Sequence, residues 1–407
     1  MRKYFKLSLV LSAALLSGCQ TYNLEQNREV LTEQLTAELI TRSEVMAVVS
    51  SVDVAVDLEQ QAAHWGYDLK RKEALPGLGL YVLTFDCPPG IDPHIASAEL
   101  EKLQPKSTVE AVHKYTLQAE YTKRISEAGA SPFKSRSLTK SPLEYANGLI
   151  EWPADGCTAL KKIGIIDGGV DIRSAKLQKA NIRRKAFRNG DKSESAVEHG
   201  TAIAELLVGP GRLKDAQLYS ASVISEDESG EAYTGVESML KAIDWMIQSD
   251  VGVINISLAG PYNRTLDRGI QRATDKGVII VAAVGNAGPK ASPQYPAGLS
   301  SVIAATAVDS QTQIYSKAVR GRHVDVAAPG VEVFVGNDSS GRYVSGTSIA
   351  TPFVVAQIAG DMQFAKARTS DDIRKILSRQ AEDLGDAGRD PVFGVGLLQA
   401  NQSCITQ

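Results

Sequence analysis

Ile163-Gly164-Ile165-Ile166-Asp167-Gly168-Gly169-Val170 is an apolar run that stops at a carboxylate followed by two glycines. It reads as a buried β-strand that ends where the chain must turn tightly. The same kind of run recurs at Gln217 to Val223, Val251 to Ser257, Val278 to Val284 and Ser301 to Val308. Between these runs lie helical patterns such as Val236 to Gln248 and Leu266 to Asp275. Strands without polar alternation, spaced by helices, predict an α/β fold in three layers with a mostly parallel sheet covered on both faces. In such sheets function collects at the carboxyl ends of the strands, where Asp167 stands.

Three more motifs follow in order. Glu198-His199-Gly200-Thr201-Ala202 opens a helical stretch, and Val281-Ala282-Ala283-Val284-Gly285-Asn286-Ala287-Gly288 ends a strand with an Asn among glycines. Ser345-Gly346-Thr347-Ser348-Ile349-Ala350-Thr351-Pro352 leads into an apolar helix, Phe353 to Ile358. A carboxylate held at a strand end suits a residue that orients a histidine. A serine at a helix N-terminus has backbone N–H groups and a positive dipole end beside it, where an oxyanion would develop, and the Asn286 amide is a second donor. Singly, each has a bland reading: a core histidine, a turn Asp or Asn, a serine N-cap. The ordered set carries the catalytic one.

Over roughly Tyr145 to Ala400 these segments resemble the subtilisin-like serine peptidases, the subtilases. The resemblance extends to Ser257-Leu258-Ala259-Gly260, Tyr295-Pro296-Ala297, Ala327-Ala328-Pro329-Gly330 and Gly394-Val395-Gly396. It implies an endopeptidase with Ser348 as nucleophile, His199 as general acid and base, Asp167 as orienting carboxylate, and Asn286 with the Ser348 N–H as oxyanion hole. It also implies that Ser257, Leu258, Ala259 and Gly260 bind substrate. No cofactor is expected, and no metal: calcium occurs in many relatives, but the acidic residues here show no calcium-loop signature. Three positions depart from the family pattern: Gly168 replaces a Ser or Thr that helps hold the carboxylate, Glu205 replaces a small glycine, and Ala259 stands where a glycine often lines the first specificity pocket. An α/β-hydrolase is excluded, because all five histidines precede Ser348 and that fold needs one after the serine.

The remainder of the chain organises around this unit, residues 145–407. With 43% hydrophobic and 22% charged residues and a net charge of -3, it is an ordinary globular protein with no basic patch for nucleic acid. Residues 1–18 read as a signal peptide: Arg2, Lys3 and Lys6, then an apolar run from Leu7 to Leu16. Leu16-Ser17-Gly18-Cys19 resembles the lipobox of bacterial lipoproteins, which implies lipidation of Cys19 and membrane attachment. Gln20 is not the Asp that signals inner-membrane retention in that class, so the outer membrane facing the periplasm is expected.

Residues 19–63, with Leu24, Val30, Leu31, Leu35 and Leu39 at helical spacing, read as a helical spacer. Residues 64–121 read as a small α+β domain of ferredoxin-like type: strands Tyr67 to Lys72, Gly79 to Phe85 and Thr108 to Gln118, with a helix Asp92 to Leu103. This domain is similar to subtilase propeptides, which implies a partner within the chain that inhibits the enzyme as a zymogen. Residues 122–144, rich in Ser, Lys, Pro and Gly, read as an exposed linker; the resemblance to subtilases implies self-processing there, between Thr122 and Tyr145. Among the cysteines after Cys19, a Cys157–Cys404 bridge and three free thiols both remain open. The rival functional reading is a non-catalytic envelope lipoprotein that keeps the fold and binds peptides or a partner.

Overall fold

The computed structural model describes residues 38–118, 120–124, 145–188, 195–227, 230–336 and 341–400. The N-terminal unit runs β1 (Glu44–Val49), α1 (Val52–His64), β2 (Asp68–Leu75), β3 (Leu80–Asp86), α2 (Pro93–Leu103) and β4 (Thr108–Ala111). Its strands form one antiparallel sheet in the order β2-β3-β1-β4, the ferredoxin-like arrangement. Both helices start at a capping side chain: Ser51 accepts the Val54 N–H, and Asp92 accepts the His94 N–H ahead of Pro93.

Two sequence expectations need correction here. Residues 44–63 are not spacer helix: they supply β1, a central strand of the sheet, and α1, so the unit begins well before His64. Val45 to Val49 are all buried, and so short an apolar run has no period that separates strand from helix. The strand expected over Thr108 to Gln118 is two strands. β4 ends at Ala111, and β5 (Tyr115–Leu117) leaves for a sheet of the large unit, followed by β6 (Glu120–Arg124) in another.

The large unit carries β7 (Ile163–Asp167), β8 (Asn181–Ala186), α3 (Val197–Val208), β9 (Gln217–Ser222), β10 (Ala232–Thr234), α4 (Val236–Gln248), β11 (Val253–Ile256), β12 (Leu258–Ala259), α5 (Arg264–Asp275), β13 (Ile279–Ala283), β14 (Ile303–Val308), β15 (Val326–Pro329), β16 (Arg342–Ser345), α6 (Thr347–Gly360) and α7 (Ser370–Gln380). Seven of these strands form an entirely parallel sheet in the order β15-β14-β13-β11-β7-β9-β8. The expected α/β architecture is therefore observed, with boundaries shifted by one or two residues at most strands. α6 is buried along its whole length, which suits its apolar sequence and places it in the core beside α3. α4 and α5 pack together as a second helical pair.

α4 and α5 also carry the N-terminal unit. Met46, Val48, Leu80 and Val82 belong to the large unit's apolar core, while Val45, Ala47, Val49 and Leu83 pack under α1 and α2. Around this interface Arg71 pairs with Glu237 at 3.1 Å, Lys241 with Glu237 at 2.8 Å, and Arg264 with Glu101 at 3.0 Å and with Glu110. The Leu78 N–H donates to Asp244 at 2.9 Å. Burial raises the Glu110 carboxyl above its ordinary range, and Arg264 counters only part of that. Burial alone would raise Glu237 too, but Lys241 and Arg71 outweigh it and hold that carboxyl below its usual value.

Cys157 is disulfide-bonded and Cys87 is a free thiol. Cys404, the partner considered from sequence, lies outside the described residues, as do Cys19, the signal segment and residues 125–144 of the linker.

Candidate active site

The strand end and the two helix starts named from sequence converge. Asp167 closes β7 and is fully buried. Its Oδ1 lies 2.7 Å from His199 Nδ1 and accepts the Gly168 N–H at 2.6 Å. His199 sits in the first turn of α3, and its Nε2 lies 3.1 Å from Ser348 Oγ in the first turn of α6. Thus one imidazole bridges a buried carboxylate and a hydroxyl across three separate elements, the arrangement in which a histidine can take a proton from a serine while its other nitrogen is held.

Asn286 follows β13. Its Oδ1 accepts from the Thr347 N–H at 3.2 Å and the Thr347 hydroxyl at 2.9 Å, which leaves the amide hydrogens as donors beside Ser348. The Ser257 hydroxyl accepts from Asn255 at 2.8 Å and donates to the Ser348 carbonyl at 3.3 Å, which ties this segment to the serine helix. Leu258 and Ala259 line the cleft, through their backbone. Gly260 lies against a tyrosine ring described below.

The departures from the family pattern acquire physical reasons. Gly168 is dictated by space: a Cβ there would lie 2.4 Å from the Ala196 carbonyl oxygen, at the left-handed residue that starts α3. With no hydroxyl at 168, Asp167 Oδ2 is buried without a hydrogen-bond partner among the described residues. Glu205 is buried and useful, bonding the Ser174 hydroxyl and accepting the Gly336 N–H at 2.8 Å.

The cleft holds a segment of the chain itself. β5 lies antiparallel between β10 and β12, with Tyr233 opposite Thr116, Thr234 opposite Tyr115, Leu258 opposite Leu117 and Ala259 opposite Thr116. Such strand addition lends main-chain hydrogen bonds to any extended peptide. It delivers Gln118 to Ser348: the Gln118 carbonyl oxygen accepts the Ser348 N–H at 3.2 Å and touches the Ser348 hydroxyl. Beyond it, β6 pairs antiparallel with β16, the strand that leads into Ser348. The residue brought to the serine therefore precedes the Thr122–Tyr145 stretch in which processing was expected. Gln118 and Tyr115 are the site residues that sequence reasoning missed. The only signal was a strand of eleven residues, Thr108 to Gln118, about twice the usual length.

Among the described residues no cluster of His, Cys, Asp and Glu is suited to hold a metal ion, and no helix is long and apolar enough to cross a membrane.

A buried Asp-His-Ser relay at the carboxyl edge of a parallel sheet defines the class of serine hydrolases. Comparison with known proteins narrows this. The subtilase family model matches residues 161–396. The chain is 32% identical over 251 residues to subtilisin DY of Bacillus licheniformis, covering 58% of this chain and 88% of that one. It is 31% identical over 249 residues to the minor extracellular protease Epr of Bacillus subtilis, covering 58% of this chain and only 37% of Epr. In fold it is similar to fervidolysin of Fervidobacterium pennivorans, described as a keratinolytic enzyme related to subtilisin, with a TM-score of 0.67 at 20% identity over 89% of this chain and 61% of that one. The chain belongs to the subtilase family of serine endopeptidases.

Proposed function

We propose that this chain is the precursor of a serine endopeptidase that cuts itself at the Gln118–Ala119 bond, with the segment that ends at Gln118 as its propeptide. The observation that carries the reading is the Gln118 carbonyl, held by the Ser348 N–H within reach of a hydroxyl that His199 can deprotonate. Ser348 Oγ adds to the Gln118 carbonyl carbon while His199 Nε2 takes its proton. The carbon–nitrogen bond to Ala119 breaks as His199 passes that proton to the leaving nitrogen. Water then adds to the acyl-enzyme by the same relay, which frees the Gln118 carboxylate and restores Ser348. Asp167 holds the imidazole, and the Asn286 amide and Ser348 N–H stabilise the oxyanion. Protein or peptide substrates follow the same route in the emptied cleft.

Lipidation of Cys19 belongs to this reading and is supported by the Leu16–Cys19 motif behind a signal-like run. The cut separates the anchor from the peptidase covalently. To test the proposal, the full chain is expressed beside Ser348→Ala, and the fragments are fractionated and their N-termini sequenced. A wild-type fragment beginning at Ala119, absent from the variant, is the expected result. Two uncut chains that both ignore a fluorophosphonate probe would leave the non-catalytic lipoprotein as the better reading.

A further inference from the structure

We propose that the cleft is selective for a glutamine immediately before the scissile bond and a tyrosine three residues further upstream, so that Tyr-x-x-Gln peptides are its preferred substrates. This rests on the reading of Gln118–Ala119 as a bond presented for cleavage, and deepens it. Main-chain pairing between β10 and β12 accepts any extended sequence, so selectivity must come from the side chains that find partners. Two of the four do.

Gln118 is buried, and both ends of its amide are engaged. Oε1 accepts the Asn286 backbone N–H at 2.8 Å, and Nε2 donates to the Thr116 carbonyl and hydroxyl, each at 3.2 Å. A leucine would leave the Asn286 N–H without this acceptor. A glutamate would keep that bond but set a second carboxylate oxygen against the Thr116 carbonyl, acceptor against acceptor. A site that hydrogen-bonds a substrate group discriminates against analogues lacking it, because its own polar atoms are then left unpaired.

Tyr115 is wholly buried, and its hydroxyl donates to the Pro261 carbonyl at 2.7 Å. Its ring takes the space that a side chain at residue 260 would need, since a Cβ there would lie 2.6 Å from the ring. Glycine at 260 thus opens a slot of ring depth, and the Pro261 carbonyl at its end distinguishes tyrosine from phenylalanine. Thr116 and Leu117, by contrast, are only half-buried.

The test uses enzyme matured from the full chain and internally quenched peptides built on Tyr-Thr-Leu-Gln-Ala. Relative to the parent, kcat/KM is expected to fall about 10-fold or more for Gln→Leu and Gln→Glu, about 5-fold for Tyr→Phe, and about 100-fold for Tyr→Ala. In the precursor, Gln118→Leu and Tyr115→Phe should slow processing in the same rank order. Peptides cleaved with rates flat across these changes, or faster with leucine than with glutamine, overturn the selectivity while leaving the peptidase reading standing. A chain that neither processes, nor cuts any peptide, nor takes a serine probe overturns both.

Discussion

The two sheets of this protein bury their faces by different means. The seven-stranded sheet lies among helices of its own unit, and its strands Ile163–Asp167 and Ile279–Ala283 are buried at every position. The N-terminal sheet covers one face with α1 and α2 but lends the other, through Met46, Val48, Leu80 and Val82, to the core of the large unit. Around that lent face sit ion pairs rather than apolar contacts alone. A face covered within its own unit survives a chain break. A lent face is held at high effective concentration only while the chain is continuous, and becomes an ordinary, dilutable interface once it is cut. The N-terminal unit is thus docked on a face that the proposed cut would make separable.

The largest expected effect comes from keeping the chain whole. Ser348→Ala should slow processing on the order of 10⁶-fold, the scale known for loss of the serine in subtilisin, a relative. Immunoblots of both ends over time measure it, and a variant cut at the wild-type rate would mean that another protease separates the units. Asn286→Ala removes one oxyanion donor and should lower kcat about 10² to 10³-fold, again on the subtilisin scale, with KM little changed on peptide substrate.

Gly168→Ser probes the large unit alone. The Cβ would strike the Ala196 carbonyl, so a destabilisation of about 1–3 kcal/mol is expected, seen as a lower melting temperature, and no gain in activity from restoring a hydroxyl. A more active, equally stable variant would show that the loop yields.

The smallest effect probes the lent face. Glu237→Gln in the processed enzyme should weaken retention of the N-terminal unit by a few-fold, read as a dissociation constant by titration. Burial, the largest single influence, acts to raise the Glu237 carboxyl, but Lys241 and Arg71 together hold it below its ordinary value in the folded chain. A depressed carboxyl contributes stability above its unfolded pKa and loses that contribution as pH falls toward its folded value. The uncut Ser348→Ala chain should therefore lose more stability than the same chain carrying Glu237→Gln as pH drops below the usual carboxylate range, read by thermal melting. Reading the difference between the two cancels the opposing effect of Glu110, whose carboxyl burial raises. Parallel pH curves would mean that these ion pairs do not couple to folding.

Much of this was legible without coordinates, for local reasons. Apolar runs of five or six residues separated by amphipathic helices leave a parallel sheet as the economical packing, and the Asp, His, Asn and Ser motifs each sit where a strand or helix ends. What stayed hidden depended on distant partners. Glu44–Val49 became a strand because two neighbouring strands offered it edges, which its own apolar run could not reveal. Glu205 became tolerable in a core only because Ser174 and Gly336 met its carboxylate. The position of Tyr115 to Gln118 was settled by two free strand edges more than a hundred residues away in sequence, and by the serine N–H at their end. The sequence alone determined the kind of chemistry, because that is written in residue types at element ends. Which carbonyl of the chain lies at Ser348 was decided only by the tertiary structure, because the strand edges and side-chain partners that hold that segment come from far along the sequence.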